Sequence, residues 1–243
     1  MGRVAILGAT GGIGNALARM LVCRGEQVHL VGRNRDKLNL LGEELGQSVT
    51  CWSSTDSSSL EALLREESER QGEFTGIVNC IGSVLLKPAH STTDDEFREV
   101  WETNVMTAFA VVRAAAQLMR AKGGAVVLFA SAAATVGLAN HEAIAAAKAG
   151  VAGLARSAAA TYAARNIRVN VISPGLVRTE LTRRIWENPA SYAASTNMHA
   201  LGRIGEPEQI ASLAAWLLAP ENDWITGQEI GLDGGLSKLR PRG

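Results

Sequence analysis

The fold is decided by the stretch Arg3-Val4-Ala5-Ile6-Leu7-Gly8-Ala9-Thr10-Gly11-Gly12-Ile13-Gly14, close to the start of the chain. Its first five residues form a short, mostly apolar run, which is typical of a buried strand. The glycines that follow open a helical pattern over Ile13–Arg24, and Gly25 closes that pattern. Backbone N–H groups at such a strand-to-helix turn point at an anion, and the helix dipole adds to the attraction. The stretch therefore predicts a phosphate-binding turn.

Three glycines of the turn meet separate physical requirements. Gly8 allows a sharp turn, Gly12 allows a pyrophosphate to approach the backbone, and Gly14 lets the helix pack on the strand. Thr10 and Ile13 complete the contacts that we predict for a bound dinucleotide. A glycine-rich turn without a ligand is the alternative. The strand before the turn and the helix after it favour the nucleotide.

Short apolar runs alternate with longer helical patterns along the rest of the chain. Further strands are predicted at Gln27–Val31, Val49–Trp52, Gly76–Cys80, Gly124–Ala130, Arg168–Ile172 and Gln228–Leu232. Helices are predicted at Arg35–Leu45, Ser57–Arg70, Asp94–Met119 (as one helix or two), His141–Ala164 and Pro207–Leu218. Parallel strands joined by crossover helices form a sheet covered on both faces. We therefore predict a single α/β domain of the Rossmann type over residues 1–243, with a doubly wound parallel sheet of about seven strands.

The composition argues against several classes of function. Lysine plus arginine equals aspartate plus glutamate, at 24 each, so the overall charge attracts neither nucleic acid nor a membrane surface. No apolar run reaches the length of a membrane span, and the start of the chain lacks the apolar stretch of a signal peptide. Three scattered cysteines, Cys23, Cys51 and Cys80, fit buried free thiols in a reducing compartment and lack metal-ligand spacing. We expect a cytoplasmic protein without a metal site.

The end of the second predicted strand indicates which dinucleotide is bound. An NAD site usually has an acidic residue there, which holds the ribose 2′-OH. Here the strand runs into Gly32-Arg33-Asn34-Arg35, and the first acid is Asp36. The planar guanidinium of Arg33 can pair with a 2′-phosphate, although a solvated loop arginine is the alternative. We expect NADP(H) rather than NAD(H) as the cofactor.

Further features complete a pattern, namely Asn79, Asn104, Ser131, Lys148 and the turn Ser173-Pro174-Gly175. Together with the glycine turn, they make the chain resemble the short-chain dehydrogenases/reductases, in particular the single-domain members of about 250 residues. The resemblance runs from Arg3 to about Gly235, and its specificity lies in the ordered set of motifs. Asn104, Ser131 and Lys148 follow one another at intervals of 27 and 17 residues, as they do in the family.

The resemblance implies a role for each residue of the pattern. Asn79 would brace the sheet, and Gly82 would pass beneath the cofactor. Asn104 would hold a water of the proton relay. Ser131 would polarise a substrate carbonyl, and Lys148 would bind the nicotinamide ribose.

The resemblance also implies how the second half of the chain surrounds a substrate. A loop cups the nicotinamide, and it consists of Pro174, Gly175, Val177 and Thr179, with Thr179 reaching the carboxamide. The polar segment Glu180–Leu201, which we predict to be irregular or helical, belongs to a substrate lid at residues 180–205.

The departure from the family pattern that matters most for the reaction is at position 144. The family has a tyrosine four residues before the lysine, where this chain has Ile144. Positions 144 and 148 share one face of the predicted helix, and the tyrosine supplies the proton that completes carbonyl reduction. A positioned general acid contributes about 10² to 10⁴ in rate. Ile144 has no proton to give, so another donor or a less demanding substrate is needed.

Three side chains are candidate donors. His141 lies three residues before Ile144 at the helix entry and titrates near neutrality, unless it only binds backbone or solvent there. Tyr192 and His199 lie in the lid segment, from which Tyr192 would have to descend on closure. Tyr162 is excluded, because 18 residues of helix place it roughly 27 Å from position 144.

A proton could also come from water. Ser131 and Lys148 would then act together through a water held near Asn104. An activated C=C bond or a quinone-like acceptor would need less help from an acid. The leading hypothesis is an NAD(P)(H)-dependent oxidoreductase of this family with an altered proton relay, acting on a small carbonyl, alcohol or activated C=C substrate.

Two other hypotheses belong to different classes. A catalytically silent NADP(H)-binding protein would act as a sensor or as a partner subunit. A purely structural oligomer would leave the glycine turn unexplained. The family also implies a homodimer or homotetramer, packed through the helices predicted at Asp94–Met119 and His141–Ala164.

Overall fold

Seven parallel strands form one sheet in the computed structural model, which describes residues 2–54 and 56–240. The strands are β1 (Arg3–Leu7), β2 (Gln27–Gly32), β3 (Ser48–Cys51), β4 (Phe74–Asn79), β5 (Gly124–Phe129), β6 (Ile167–Pro174) and β7 (Glu229–Leu232). Their order in the sheet is β3-β2-β1-β4-β5-β6-β7, and each neighbouring pair is parallel. The doubly wound fold is thereby confirmed. The order reverses between β1 and β4, where such sheets bind ligands beyond the carboxyl ends of the strands.

Helices cover both faces of the sheet. They are α1 (Gly12–Cys23), α2 (Arg35–Leu45), α3 (Ser57–Gln71), α4 (Asp94–Trp101), α5 (Thr107–Leu118), α6 (Glu142–Tyr162), α7 (Arg183–Trp186), α8 (Pro189–Met198) and α9 (Pro207–Leu218). One buried cluster packs α3, α5 and α6 on the sheet through residues such as Leu60, Val111 and Val151. A second cluster on the other face includes Leu17 of α1 and Ile210 of α9. Burial of these apolar surfaces stabilises the layered fold.

The segment predicted as one helix or two contains two α-helices. Thr93 begins α4 with a capping box, in which Thr93 and Glu96 each bind the other's backbone N–H. Residues Glu102–Met106 then form a π-helical turn before α5 begins. Such turns widen the helix locally and often occur at functional sites.

The prediction that the cysteines are buried is wrong for two of the three. Cys23 and Cys51 are exposed rather than buried, because Cys23 lies at the end of α1 and Cys51 at the end of the edge strand β3. Cys80 is partly buried. Within residues 2–54 and 56–240, no helix is long and apolar enough to cross a membrane, and no cluster of side chains could hold a metal ion.

A buried polar cluster ties β1, β2, β3 and α3 together at the amino-terminal edge of the sheet. The Arg3 guanidinium donates to the Glu67 carbonyl oxygen at 3.0 Å and to Ser48 Oγ at 2.8 Å, and it pairs with the Glu67 carboxylate at 3.3 Å. Ser48 Oγ lies 2.8 Å from His29 Nδ1. Burial lowers the pKa of His29 to about 4, with Arg3 and Arg70 adding to the effect and Glu67 opposing it. His29 is therefore neutral at pH 7.

Candidate active site

The glycine turn has the shape that a bound pyrophosphate requires. Gly8 has a φ of +74°, a conformation that favours glycine, and its N–H donates to the Val31 carbonyl at 2.8 Å. A Cβ on Gly14 would collide with the Gly8 carbonyl oxygen, so α1 begins directly against the turn. A Cβ on Gly12 would lie 2.9 Å from Thr179 Cγ2, which brings the nicotinamide loop close to the turn. The predicted glycine roles fit this geometry.

An open cavity of about 420 Å³ lies over the turn. Thr10, Gly11 and Gly12 line one side, and Glu180 and Pro207 line the other. The cavity meets the amino terminus of α1, where backbone N–H groups and the helix dipole attract an anion. The residues present therefore fit a dinucleotide pyrophosphate.

Arg33 lies at the point where an adenosine ribose is expected. The residue is exposed directly after β2, and its guanidinium makes no hydrogen bond within the described part of the chain. The neighbouring Asn34 begins α2 by accepting a hydrogen bond from the Lys37 N–H at 3.0 Å. The first acid of this region, Asp36, lies in the first turn of α2 and not at the strand end. Arg33 stays a prediction as the 2′-phosphate ligand.

The loop after β4 begins with a buried asparagine. Asn79 donates from Nδ2 to Thr107 Oγ1 at 3.1 Å and accepts from the Ile81 N–H at 3.2 Å. The Cys80 N–H donates to the Leu7 carbonyl oxygen at 2.9 Å. These bonds join the ends of β1 and β4 to α5, which agrees with the bracing role expected of Asn79.

Gly82 lies where three predicted site residues meet. A Cβ on Gly82 would be 3.2 Å from Asn104 Oδ1 and 3.3 Å from Lys148 Nζ. Asn104 lies in the π-helical turn, and its Nδ2 donates to the Val100 carbonyl oxygen at 2.8 Å. Residues from the loop after β4, the α4–α5 junction and α6 thus converge at the carboxyl edge of the sheet.

Ser83 is a member of this group that the sequence alone did not indicate. Its hydroxyl oxygen accepts from Asn104 Nδ2 at 2.9 Å, and its backbone N–H donates to Asn104 Oδ1 at 3.3 Å. A serine after the loop glycine has no distinctive spacing. Ser83 becomes part of the site through its hydrogen bonds with Asn104, which lies in the π-helical turn.

Lys148 is a buried cation with few partners. Its ammonium donates to the Phe129 carbonyl oxygen at 3.0 Å, and no second hydrogen-bond acceptor is found for it in the described ranges. Burial lowers the pKa of Lys148 to about 8, opposed by the nearby Cys80. Burial likewise raises the pKa of the Cys80 thiol to about 12, opposed by Lys148. The thiol is therefore protonated at neutral pH, whereas Lys148 titrates just above it.

Ser131 presents its hydroxyl at the end of β5. Its Oγ accepts from the Ala133 N–H at 3.2 Å and so begins a short 3₁₀ turn over Ala132–Ala134. The hydroxyl hydrogen is not used in this bond. It can be donated to an acceptor such as a carbonyl oxygen.

Position 144 is entirely apolar. Ile144 is 4% exposed and belongs to a small buried cluster with Val100 and Ala147. Leu85 and Val105 pack against this cluster. Ile144, one helical turn before Lys148 on the same face of α6, therefore makes apolar contacts and has no proton to donate.

The three candidate donors have different surroundings. His141 precedes α6, and its Nδ1 lies 2.7 Å from the Ala139 carbonyl oxygen, within its own loop. Tyr192 has its ring 5.9 Å from the Arg178 guanidinium carbon. His199 is buried, with Nδ1 donating to the Ser195 carbonyl at 2.6 Å and Nε2 accepting from the Leu176 N–H at 3.1 Å. Both nitrogens of His199 are engaged with backbone, so its place is structural.

The loop after Pro174 is held by the segment that follows it, which the sequence analysis predicts to be a lid. A Cβ on Gly175 would collide with His199 Nε2, which explains glycine at this position. Val177 forms a parallel bridge with Gly205. The Thr179 carbonyl oxygen accepts from Trp186 Nε1 at 2.8 Å. The loop after Pro174 is therefore fixed between the sheet and helices α7 and α8. These two helices make the segment Glu180–Leu201 largely helical.

Comparison with known proteins identifies the family. A family model described as enoyl-(acyl carrier protein) reductase matches residues 8–237. A tropinone reductase homologue of Arabidopsis thaliana is 32% identical over 239 residues, covering 96% of this chain and 90% of that protein. The L-tagatose-forming galactitol 2-dehydrogenase of Cereibacter sphaeroides is 34% identical, covering 95% of this chain and 93% of its own. The chain belongs to the short-chain dehydrogenase/reductase family.

A solved member of similar fold shows what such a frame can hold. A tryptophan variant of actinorhodin polyketide ketoreductase with NADPH has a TM-score of 0.89 and 26% sequence identity, over 98% of each chain. The predicted membership among the short-chain dehydrogenases/reductases, which are oxidoreductases, is confirmed.

Proposed function

We propose that this short-chain dehydrogenase/reductase is an NADP(H)-dependent oxidoreductase with an altered proton relay. Its substrate would be a small carbonyl or alcohol, or an activated C=C bond. The convergence of Gly82, Asn104 and Lys148 carries the proposal, since it keeps a buried ammonium beside the expected nicotinamide ribose. A buried cation without compensating partners is costly for the fold and is typical of a functional site.

The residues of the chain divide between holding the cofactor and preparing the substrate. The expected cofactor contacts in the glycine turn are its glycines with Thr10 and Ile13. Those outside it are Arg33, Asn79, Gly82, Lys148, Pro174, Gly175, Val177 and Thr179. A bound NADP(H) would supply or accept the hydride. Ser131 would donate its hydroxyl hydrogen to the substrate oxygen, and Lys148 and Asn104 would hold a proton close by. His141 would be an alternative acid.

A catalytically silent NADP(H)-binding protein is the second candidate function. The apolar packing of Ile144 favours it, because the position that faces Lys148 on α6 has no ionisable group. Such a protein would act as a sensor or as a partner subunit.

Dinucleotide binding and turnover test the proposal together. Titration calorimetry should give a lower Kd for NADPH than for NADH, and Arg33→Ala should weaken NADPH binding about tenfold while NADH binding stays unchanged. A panel of carbonyl, enone and quinone substrates should then reveal NADPH oxidation. Binding without any turnover would support the silent protein, and absence of binding would exclude both functions. Equal losses for NADPH and NADH would remove Arg33 as the 2′-phosphate ligand.

The proposal also covers the assembly and the location of the protein. Phe97, Trp101 and Phe109 of α4 and α5 are exposed aromatic side chains on the faces where we expect a homodimer or homotetramer to pack. The exposed free thiols of Cys23 and Cys51 support a reducing, cytoplasmic environment.

A further inference from the structure

The proton for the proposed reaction needs a source and a path. Among the described residues around Gly82, the titratable groups are Lys148 and Cys80. The Cys80 thiol holds its proton too firmly, because burial raises its pKa to about 12. His141 has its Nδ1 bonded to Ala139, in the loop before α6. Lys148 therefore remains as the source, but its ammonium is buried and anchored to Phe129.

The geometry of Ser83 suits a carrier between this source and a substrate. Ser83 is half-buried and directly follows Gly82, whose Cβ position is 3.3 Å from Lys148 Nζ. Asn104 holds Ser83 at two points, through the hydroxyl oxygen and the backbone N–H. Because the amide of Asn104 occupies a lone pair of the hydroxyl, the hydroxyl hydrogen is directed elsewhere and is available for donation.

Ser83 and Ser131 have matching positions and matching hydrogen bonding. They follow β4 and β5, which are parallel neighbours, so both hydroxyls lie at the carboxyl edge of the sheet. Each hydroxyl oxygen accepts one N–H bond, from Asn104 and from Ala133 respectively. The two loops are joined farther on, since the Lys87 N–H donates to the Asn140 carbonyl oxygen at 2.8 Å. The edge thus presents two hydroxyl donors.

We propose that Ser83 is a catalytic residue, which passes a proton from Lys148 to the substrate oxygen while Ser131 orients that oxygen. The inference rests on the proposed function, which supplies the hydride from a reduced nicotinamide. As the substrate carbon gains the hydride, the Ser83 O–H bond breaks and an O–H bond forms on the substrate. Ser83 regains a proton from the Lys148 ammonium through one water. The resulting neutral amine is reprotonated from solvent.

The test compares Ser83→Ala with Ser83→Thr, which keeps the hydroxyl, and with Ser157→Ala on the exposed side of α6. Ser83→Ala should lower kcat for carbonyl reduction about 100-fold, within the range of a lost general acid, while the Kd for NADPH changes less than twofold. Ser83→Thr should retain most of the rate, and Ser157→Ala should equal the wild type. A kcat of Ser83→Ala within twofold of the wild type overturns the proposal, as does a loss confined to cofactor affinity.

A measurement on the dinucleotide-free protein gives an independent readout. NMR titration of the lysine side-chain amines, with the Lys148 signal assigned from Lys148→Met, reports the pKa of Lys148 without turnover. Ser83→Ala removes a dipole near the ammonium, so the pKa should fall further, whereas Ser157→Ala should leave it unchanged. An unchanged pKa in Ser83→Ala contradicts the link between the two residues.

The outcomes also separate this inference from the proposed function. If the wild type turns over and Ser83→Ala is equally fast, the role of Ser83 is contradicted while the proposed function stands. A wild type without turnover on the panel removes both. A selective loss in His141→Ala, with Ser83→Ala unaffected, assigns the proton to His141 instead.

Discussion

The two edges of the sheet treat buried charge in opposite ways. At the amino edge, Arg3 is surrounded by Glu67 and by other acceptors, and His29 is kept neutral. At the carboxyl edge, the ammonium of Lys148 has the Phe129 carbonyl as its acceptor within the described structure. A buried charge that is paired and hydrogen-bonded can serve the fold, whereas an uncompensated one costs stability. The difference marks the amino edge as structural and supports the proposal that the carboxyl edge binds the cofactor.

Lys148→Met is expected to have the largest effects, which are opposite for stability and for turnover. Removing the buried ammonium should increase the free energy of unfolding at pH 7 by about 1 to 3 kcal/mol, while NADPH-dependent turnover falls at least 100-fold. Chemical denaturation and steady-state kinetics measure the two effects. A destabilised variant would mean that Lys148, like Arg3, is compensated within the fold.

The pH dependence of that stability difference has a definite sign. The pKa of Lys148 is about 8 in the fold against an ordinary value of 10.5, so the free-energy penalty of burying the ammonium is complete below pH 8. The penalty disappears as the pH rises from 8 to 10.5, and the difference between wild type and Lys148→Met should narrow over this range. If the stability difference between wild type and Lys148→Met stayed constant over this range, the buried ammonium would not be the cause of the destabilisation.

An effect on stability alone is expected at the amino edge on acidification. The pKa of His29 is about 4 in the fold against an ordinary value of 6.5, so the unfolded chain binds this proton first as the pH falls. Wild-type stability should therefore fall as the pH drops from 6.5 towards 4, by up to about 3 kcal/mol.

His29→Asn should flatten this part of the stability profile. The exposed His90, replaced by Asn, is the matched control and should leave the profile unchanged. An unaltered slope in His29→Asn would assign the acid sensitivity to other groups. Neither substitution should change the Kd for NADPH, since both residues lie away from the glycine turn.

The sequence predicted those features that depend on local pattern. The turn from Gly8 to Gly14 and the seven strands follow from neighbouring residues, whose spacing and conformational needs can be read directly. The lysine at 148 and the serine at 131 were found through the resemblance to a family.

Features that depend on distant contacts were not predictable in this way. Ser83 belongs to the site because it is hydrogen-bonded to Asn104, which lies in the π-helical turn Glu102–Met106. His199 is structural because α8 and the nicotinamide loop place carbonyl and N–H groups around its ring. The exposure of Cys23 and Cys51 depends on which helix and strand ends face solvent.

The most direct test of an active reductase frame with a changed proton relay is the kcat of Ile144→Tyr beside wild type and Ile144→Phe. The phenylalanine variant controls for the added ring in the cluster of Val100 and Ala147. We predict measurable wild-type turnover with NADPH, a rise of at least tenfold in Ile144→Tyr, and no rise in Ile144→Phe. Turnover in Ile144→Tyr alone, with the wild type at background, would contradict native activity and identify a silent cofactor-binding protein.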